Sequence, residues 1–292
     1  MKKYFLILFA AFGLAMTSCD TSSNNGEYTI SQDIQGCFVT SQDIADGTIE
    51  NTGDVRYIVK INYTRGTIDL TIYNMKLPDG STIAQMTFAD MTGESDKEGW
   101  IKVAKASVVP QIGNTVANHT IEDFRLSLLQ RVMNGAYAPA LNVSYTLDGK
   151  YNIFSAPCAQ IFGGTTVTTG SDEPFQSKTT LYGFVYNPAK STVDISIGYA
   201  QFISTMPRMN FDLKAIPADM RPGIIRYNID EIIPSMNNTP QERFPISNLS
   251  GSIVYSTGFD ISFRCKPGLP QLAGTTFSST AHGTYFDIPE SN

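Results

Sequence analysis

The chain has 292 residues, with 21 basic and 27 acidic side chains and a formal charge of −6. An excess of acid excludes recognition of a nucleic-acid backbone by counterion release. Charged residues are only 16% and apolar ones 42%, so the length can fill two cores beneath a largely neutral polar surface.

Met1-Lys2-Lys3 is a short positive start, and Tyr4 to Met16 is an unbroken run of apolar and small residues. That run is shorter than the roughly 20 residues a membrane-spanning helix needs, and it has the form of a secretory signal core. It closes in Leu14-Ala15-Met16-Thr17-Ser18-Cys19. This arrangement resembles the lipobox of bacterial lipoproteins, with Met16 standing where that box more often carries Leu or Val. The resemblance implies that residues 1–18 are a signal peptide, removed on export, and that Cys19 is lipidated. Buried acyl methylenes are worth about 0.8 kcal/mol each, so two or three chains hold a protein stably at a membrane. Asp20 to Gly26 offers nothing apolar to bury, so 19–26 is expected to be a flexible tether. Surface lipoproteins of the Bacteroidetes often carry an acidic run after the lipidated Cys. Here only Asp20 is acidic, which leaves both the periplasmic face of the outer membrane and the cell surface open.

With Cys19 committed to lipid, Cys37, Cys158 and Cys265 remain. Export permits disulfides. Cys37 and Cys158 could bridge if the first and last strands of one domain are neighbours; three buried thiols are the alternative. Nothing has zinc-ligand spacing, and His119 and His282 each stand alone.

A repeat organises the rest. RYIVKINYTRGTIDLTIYN from Arg56 aligns without gaps on LYGFVYNPAKSTVDISIGY from Leu181. Tyr57 meets Tyr182, Asn62 meets Asn187, Thr67 meets Thr192 and Asp69 meets Asp194. Ile68, Leu70 and Ile72 meet Val193, Ile195 and Ile197 in the same apolar phase. Further matches follow in order: Met86 with Met209, Trp100 with Ile224, Val108-Val109-Pro110 with Ile232-Ile233-Pro234. Then come Leu147-Asp148-Gly149 with Ser256-Thr257-Gly258, and Gly164-Thr165-Thr166 with Gly274-Thr275-Thr276. On this alignment the offset drifts downward from about 125 residues.

Within each copy the signals are those of strands. Ile68, Leu70 and Ile72 alternate with Asp69 and Thr71, as in a sheet with one buried face. Short connections at Arg65-Gly66 and Ala189-Lys190 predict antiparallel hairpins, and Pro78-Asp79-Gly80 predicts a turn. Thr120 to Gly135 has the look of a capped amphipathic helix, but Phe124, Leu126 and Leu128 alternate. Its counterpart, aligned as Phe244-Pro245-Ile246-Ser247-Asn248-Leu249, carries Pro245 where a helix interior would be. A strand is therefore expected at 122–130, with a longer hairpin through Asn134-Gly135. About eight strands per copy, joined by short turns, are best closed as a barrel or a curled sheet, which removes exposed edges. The expectation is all-β, with two tandem antiparallel β-barrel or curled-sheet domains at 27–170 and 179–292, joined by a linker at 171–178.

Val59 to Asn74 and Tyr145 to Ser155, and again Phe184 to Tyr199 and Ile253 to Phe263, resemble the calycin-like or lipocalin-like domains of exported Bacteroidetes lipoproteins. The resemblance implies two up-and-down β domains in tandem, in a family mostly without assigned activity. The lipocalin Gly-x-Trp signature is replaced by Gly36-Cys37-Phe38, and Trp100 is the one tryptophan. That departure argues against a conventional apolar calyx.

The sequence has no nucleophile elbow and no phosphate loop, since Gly163-Gly164-Thr165-Thr166 lacks a Lys and reads as a bend in a closing strand. Asp69 and Asp194 are the tempting carboxylate pair, yet each lies on the polar face of an alternating strand. Asp172 and Glu173 fall in the expected linker, and Asp33, Asp43 and Asp46 have no calcium-loop spacing. The 14 Tyr and 17 Phe could fill cores or, at Tyr57, Tyr63, Tyr73, Tyr182, Tyr186 and Tyr199, stack on sugars. The expectation is a lipid-anchored cell-envelope protein acting as a non-enzymatic binding module, with no catalytic, metal or cofactor residues to name. Its partners would be the membrane and a glycan, a small apolar ligand or an envelope protein. A barrel that carries a small ligand is the alternative, and an unrecognised hydrolase a weaker one.

Overall fold

Alternation at every second residue commits most of this chain to strands with one dry face. A computed structural model describes residues 18–24, 27–96, 99–113, 115–129, 132–133, 136–137, 140–170, 173–255, 257–269, 272 and 275–284. The expected signal core, the Asn134-Gly135 turn, Asp172 and Gly274 lie outside them. The elements are all strands.

The first domain holds Ser18–Asn24 (β1), Glu27–Asp43 (β2), Ile49–Asn62 (β3), Thr67–Lys76 (β4), Thr82–Thr92 (β5), Glu94–Ser95 (β6) and Trp100–Val108 (β7). It continues with Gln111–Ile112 (β8), Thr115–Val116 (β9), Ile121–Leu129 (β10), Val132–Met133 (β11), Ala136–Tyr137 (β12), Ala140–Leu147 (β13) and Tyr151–Pro157 (β14). The second holds Ala159–Thr169 (β15), Phe175–Asn187 (β16), Thr192–Ala200 (β17), Met209–Arg221 (β18) and Ile224–Ile232 (β19). Ser235–Met236 (β20), Thr239–Pro240 (β21), Ile246–Val254 (β22), Gly258–Cys265 (β23) and Phe277–Thr284 (β24) complete it.

In the second domain the order β17-β16-β15-β24-β23-β22-β19-β18 returns to β17, so eight strands close a barrel. The first repeats the meander as β7-β10-β13-β14-β2-β3-β4-β5, a curled sheet in which β6 extends β7 and β8 extends β5. In both domains the inward positions form the core. In β4 these are Ile68, Leu70 and Ile72, all 2% exposed or less; in β17 they are Val193, Ile195 and Ile197.

A flat sheet cannot curl into a barrel without bends, and β-bulges supply them. In β4–β5 Ile68 pairs with Met91 and Leu70 with Phe88, so Ala89 and Asp90 together face Asp69. In β17–β18 Val193 pairs with Ile216 and Ile195 with Leu213, so Lys214 and Ala215 face Asp194. Asp90 (φ 51°) and Ala215 (φ 55°) are both left-handed, a state a side chain makes costly. Each is held from across the ladder: Asp90 N donates to Asp69 Oδ1 at 2.8 Å, and Ala215 N to Asp194 Oδ1 at 2.8 Å.

Two more bulges recur. Asp123 (φ 50°) sits in the register shift between β10 and β13, and Asn248 (φ 51°) in that between β22 and β23. A third pair lies between Cys37 and Val39 of β2 and between Gly164 and Thr166 of β15. The hairpins match as well. Arg65 N donates to Asn62 Oδ1 at 2.9 Å, and Lys190 N to Asn187 Oδ1 at 3.2 Å. Ala117 N closes on Pro110 O at 2.9 Å and Gln241 N on Pro234 O at 2.8 Å, pinning the β8–β9 and β20–β21 hairpins.

Several expectations are corrected. The domain boundary falls between Cys158 and Ala159, not at 171–178: β15 pairs with β16 and β24 and opens the barrel of the second domain, as β2 runs through the curled sheet of the first. Gly164 lies at its bend, where an added Cβ would meet the Phe259 ring. The expected tether at 19–26 is instead largely strand: β1 pairs along β2, with Cys19 opposite Gln32. Backbone pairing needs no apolar side chain, so its polar composition misled. The Asp148-Gly149 turn joins β13 to β14, whereas Thr257 and Gly258 join β22 to β23, so these turns are not counterparts. β10 matches β22 from Ile121 on Ile246, not Phe124 on Phe244. Strand at 122–130 is observed as β10, beginning at Ile121 and ending at Leu129.

The clamp has a measurable weight. Asp69→Ala and Asp194→Ala should each lower stability by about 1 kcal/mol, the scale of one charge-assisted hydrogen bond at a partly solvated site. Asp→Asn, which keeps an oxygen acceptor, should cost less. Urea unfolding of the four variants checks this; equal loss for Ala and Asn would show that the carboxylate does not hold the bulge.

Candidate functional site

Of the acids singled out in the sequence, Asp69, Asp194 and Asp46 each hold a backbone amide. Asp69 and Asp194 clamp the bulges, and Asp194 also meets Lys214 Nζ at 3.1 Å. Asp33 pairs with Arg56 at 2.6 Å, which raises the guanidinium pKa further. Asp46 accepts from Thr48 N at 2.8 Å, and that bond lowers its pKa. Asp79 accepts from Ser81 N and from Tyr151 Oη at 2.8 Å; hydrogen bonds from Ser81, then Tyr151, hold its carboxyl well below the usual range. His119 Nδ1 lies 2.8 Å from Asp148 Oδ2. His282 sits in β24 opposite Asp260 of β23. Among the described residues, no three His, Cys, Asp or Glu side chains cluster as a metal site would require.

The cysteines meet the topological condition for a bridge but do not form one. β2 and β14 are neighbours, yet Cys37 pairs with Pro157, while Cys158 N donates to Gly36 O at 2.8 Å. This one-residue offset sets Cys158 against Gly36, and Cys37, Cys158 and Cys265 are all thiols. Burial raises the Cys37 pKa strongly, and Cys158 adds to it. Burial, then Asp54, pushes Cys158 up to about 12; burial pushes Cys265 up to about 11.

Half of the six tyrosines that sequence offered as sugar platforms are interior, while Tyr63 is exposed and Tyr73 and Tyr199 are half-buried. Tyr57, Tyr182 and Tyr186 are 2% exposed or less. In the first domain Phe88, Phe124 and Tyr145 form a ring cluster with centroids 4.8–6.0 Å apart. Tyr145 Oη reaches Met75 Sδ at 3.4 Å, and Tyr57 Oη has no hydrogen-bond partner. In the second, Phe162, Phe184, Tyr182 and Tyr227 gather around Phe259 and one another. Thr166 bonds Tyr182 Oη at 2.8 Å and Thr168 bonds Ser279 Oγ at 2.9 Å, giving this interior a hydroxyl-lined end. Both interiors are thus occupied by the protein's own side chains, as side-chain-filled small barrels are.

Some apolar groups remain exposed to solvent. Ile112 (48%) and Val116 (64%) are exposed on the β8–β9 hairpin, and Val109 (65%) on the connection that leads into it. Tyr28 (47%) and Tyr63 (45%) stand side by side at the start of β2, ring centroids 5.5 Å apart and tilted by 39°. Of this pair the sequence pointed only to Tyr63. Tyr28 was missed because its partner lies across a strand pairing that no local pattern reveals. Tyr73 lies under the Arg56 guanidinium at 5.6 Å.

No family model matches the chain, and no curated protein does. Among solved structures it is similar to intact Ap-TbpB with its N and C lobes, at 4% identity and a TM-score of 0.25, covering 91% of this chain and 86% of that one. It is also similar to a protein of unknown function from the DUF3598 family of Nostoc punctiforme, at 11% identity and a TM-score of 0.23, covering 86% and 95%.

Two outcomes follow from the buried groups. Because burial raises the thiol pKa values, the stability these groups contribute is complete below pH 9 and is lost as pH climbs toward 11 and 12. Native alkylation by iodoacetamide should therefore accelerate steeply with pH, Cys265 before Cys158, with Cys37 labelled only on unfolding; mass mapping reads the order. Tyr57→Phe, which deletes a buried hydroxyl without a partner, should leave stability unchanged or raise it by up to about 2 kcal/mol. A drop in its urea midpoint would mean that the hydroxyl is bonded in solution.

Proposed function

We propose that this is an exported lipoprotein, held at the outer membrane through Cys19, whose β domains act as a non-enzymatic binding module working through their outer surfaces. The observation that carries this reading is the division between interior and exterior. The rings of Phe88, Phe124 and Tyr145, and of Phe162, Phe184 and Phe259, fill the domain centres, whereas Tyr28 and Tyr63 remain nearly half exposed. A carrier would need an interior cleared for its cargo, and this packing favours surface binding over it. The paired acids that would serve a glycosidase are engaged in holding bulges, which supports a non-catalytic role. The anchor rests on the order of charged start, apolar run, small residues and Cys19.

The anchor is tested by metabolic labelling with radiolabelled palmitate in an export-competent bacterial host. The natural chain should take up label and fractionate with membranes, while Cys19→Ala should lose the label and become soluble in the envelope extract. Label that persists in Cys19→Ala would overturn the anchoring.

A further inference from the structure

We propose that Tyr28 and Tyr63 form a stacking platform for a neutral glycan. The inference deepens the surface-binding reading above and rests on it. Tyr63 N donates to Tyr28 O at 2.9 Å, fixing the two residues directly across from each other just beyond the Thr29–Asn62 pair. Their rings touch at 5.5 Å with a 39° tilt, and each keeps close to half its surface in water. Aromatic faces offer an apolar plane with a polar tip, which suits the alternating C–H and O–H faces of a sugar ring.

The second domain serves as an internal control for the plain alternative, that the pair exists only to seal a hairpin. The same turn is built there by Asn187, whose carbonyl and side chain both receive Lys190 N. Pro188 takes the place of Tyr63, and β15 starts at Ala159 opposite Val185, short of the turn. The turn forms without aromatic rings, so the fold does not require them.

The surroundings select the ligand class. Asn62 Nδ2 bonds Glu27 Oε2 at 2.9 Å, and Arg65 pairs with Asp90 at 3.0 Å; both pairs are exposed. Glu27, Asn62 and Arg65 lie within two residues of Tyr28 or Tyr63 along the chain and bring donors and acceptors to the same turn. The local charge is balanced to slightly negative and the chain carries −6, so an anionic polymer is disfavoured. A proline-rich peptide also seeks aromatic grooves, but Tyr28 and Tyr63 form a single exposed ring pair with polar residues at the same turn, which favours a polyhydroxylated ligand.

The test is native affinity electrophoresis of the mature chain in gels containing laminarin, xylan or galactomannan, with a proline-rich peptide titrated in solution as a separate arm. Retardation by at least one of the three polysaccharides is expected. Tyr28→Ala and Tyr63→Ala should each weaken it about tenfold, the effect of losing one stacked ring, while Tyr63→Trp should retain it. Unchanged urea midpoints in the variants separate lost binding from lost fold. Retardation untouched by either Ala variant would overturn this site while leaving surface binding elsewhere intact. No retardation in any of the gels, or Tyr28-dependent binding of the peptide alone, would overturn the glycan assignment.

Discussion

One hydrogen bond, made twice, underlies the shape of both domains. A carboxylate on one strand takes the amide of an extra residue on the next, Asp69 with Asp90 and Asp194 with Ala215. The extra residue is left-handed, and for Ala215 no glycine or asparagine lessens the cost. Without the acceptor, the strand would relax into flat pairing and every residue beyond it would exchange its inner face for its outer one. With it, Leu70 and Phe88 face the core on one side of the bulge, and Ile68 and Met91 on the other.

The duplication is clearest in these polar residues. Asn62 and Asn187 both bind the amide three residues on; Asp123 and Asn248 both adopt the left-handed state at a bulge. These side chains act on the backbone, so they reappear wherever the same bend is needed. Apolar positions can exchange Ile for Val or Leu at little cost, and they do so between the copies. The aromatic cores are accordingly filled by different sets of rings around similar walls.

This contrast explains what was legible in sequence. Period-2 alternation and short turns identified an all-β chain, and the Asp69–Asp194 match was real, though spacing alone could not tell a catalytic acid from a bulge clamp. The start of the second domain was illegible because β15 contains Gly163-Gly164 and polar hydroxyls, and its strand character comes from pairing with β16 and β24. Similar turn chemistry at Asp148-Gly149 and Thr257-Gly258 invited a match one strand out of step. Tyr28 and Tyr63 are distant in sequence, and only the β2–β3 register makes them a surface.

The β1–β2 pairing bears on how the molecule would stand on a bilayer. Cys19 is already in register with Gln32, and every residue from Ser18 to Asn24 has a partner on β2. A lipid carried on Cys19 would therefore leave almost no slack between acyl chains and folded protein. The first domain would ride close to the headgroups, its reach into the surroundings set by its own dimensions and not by a leash. Any wider excursion would require β1 to peel away from β2, so the free energy of that short hairpin would govern the standoff height.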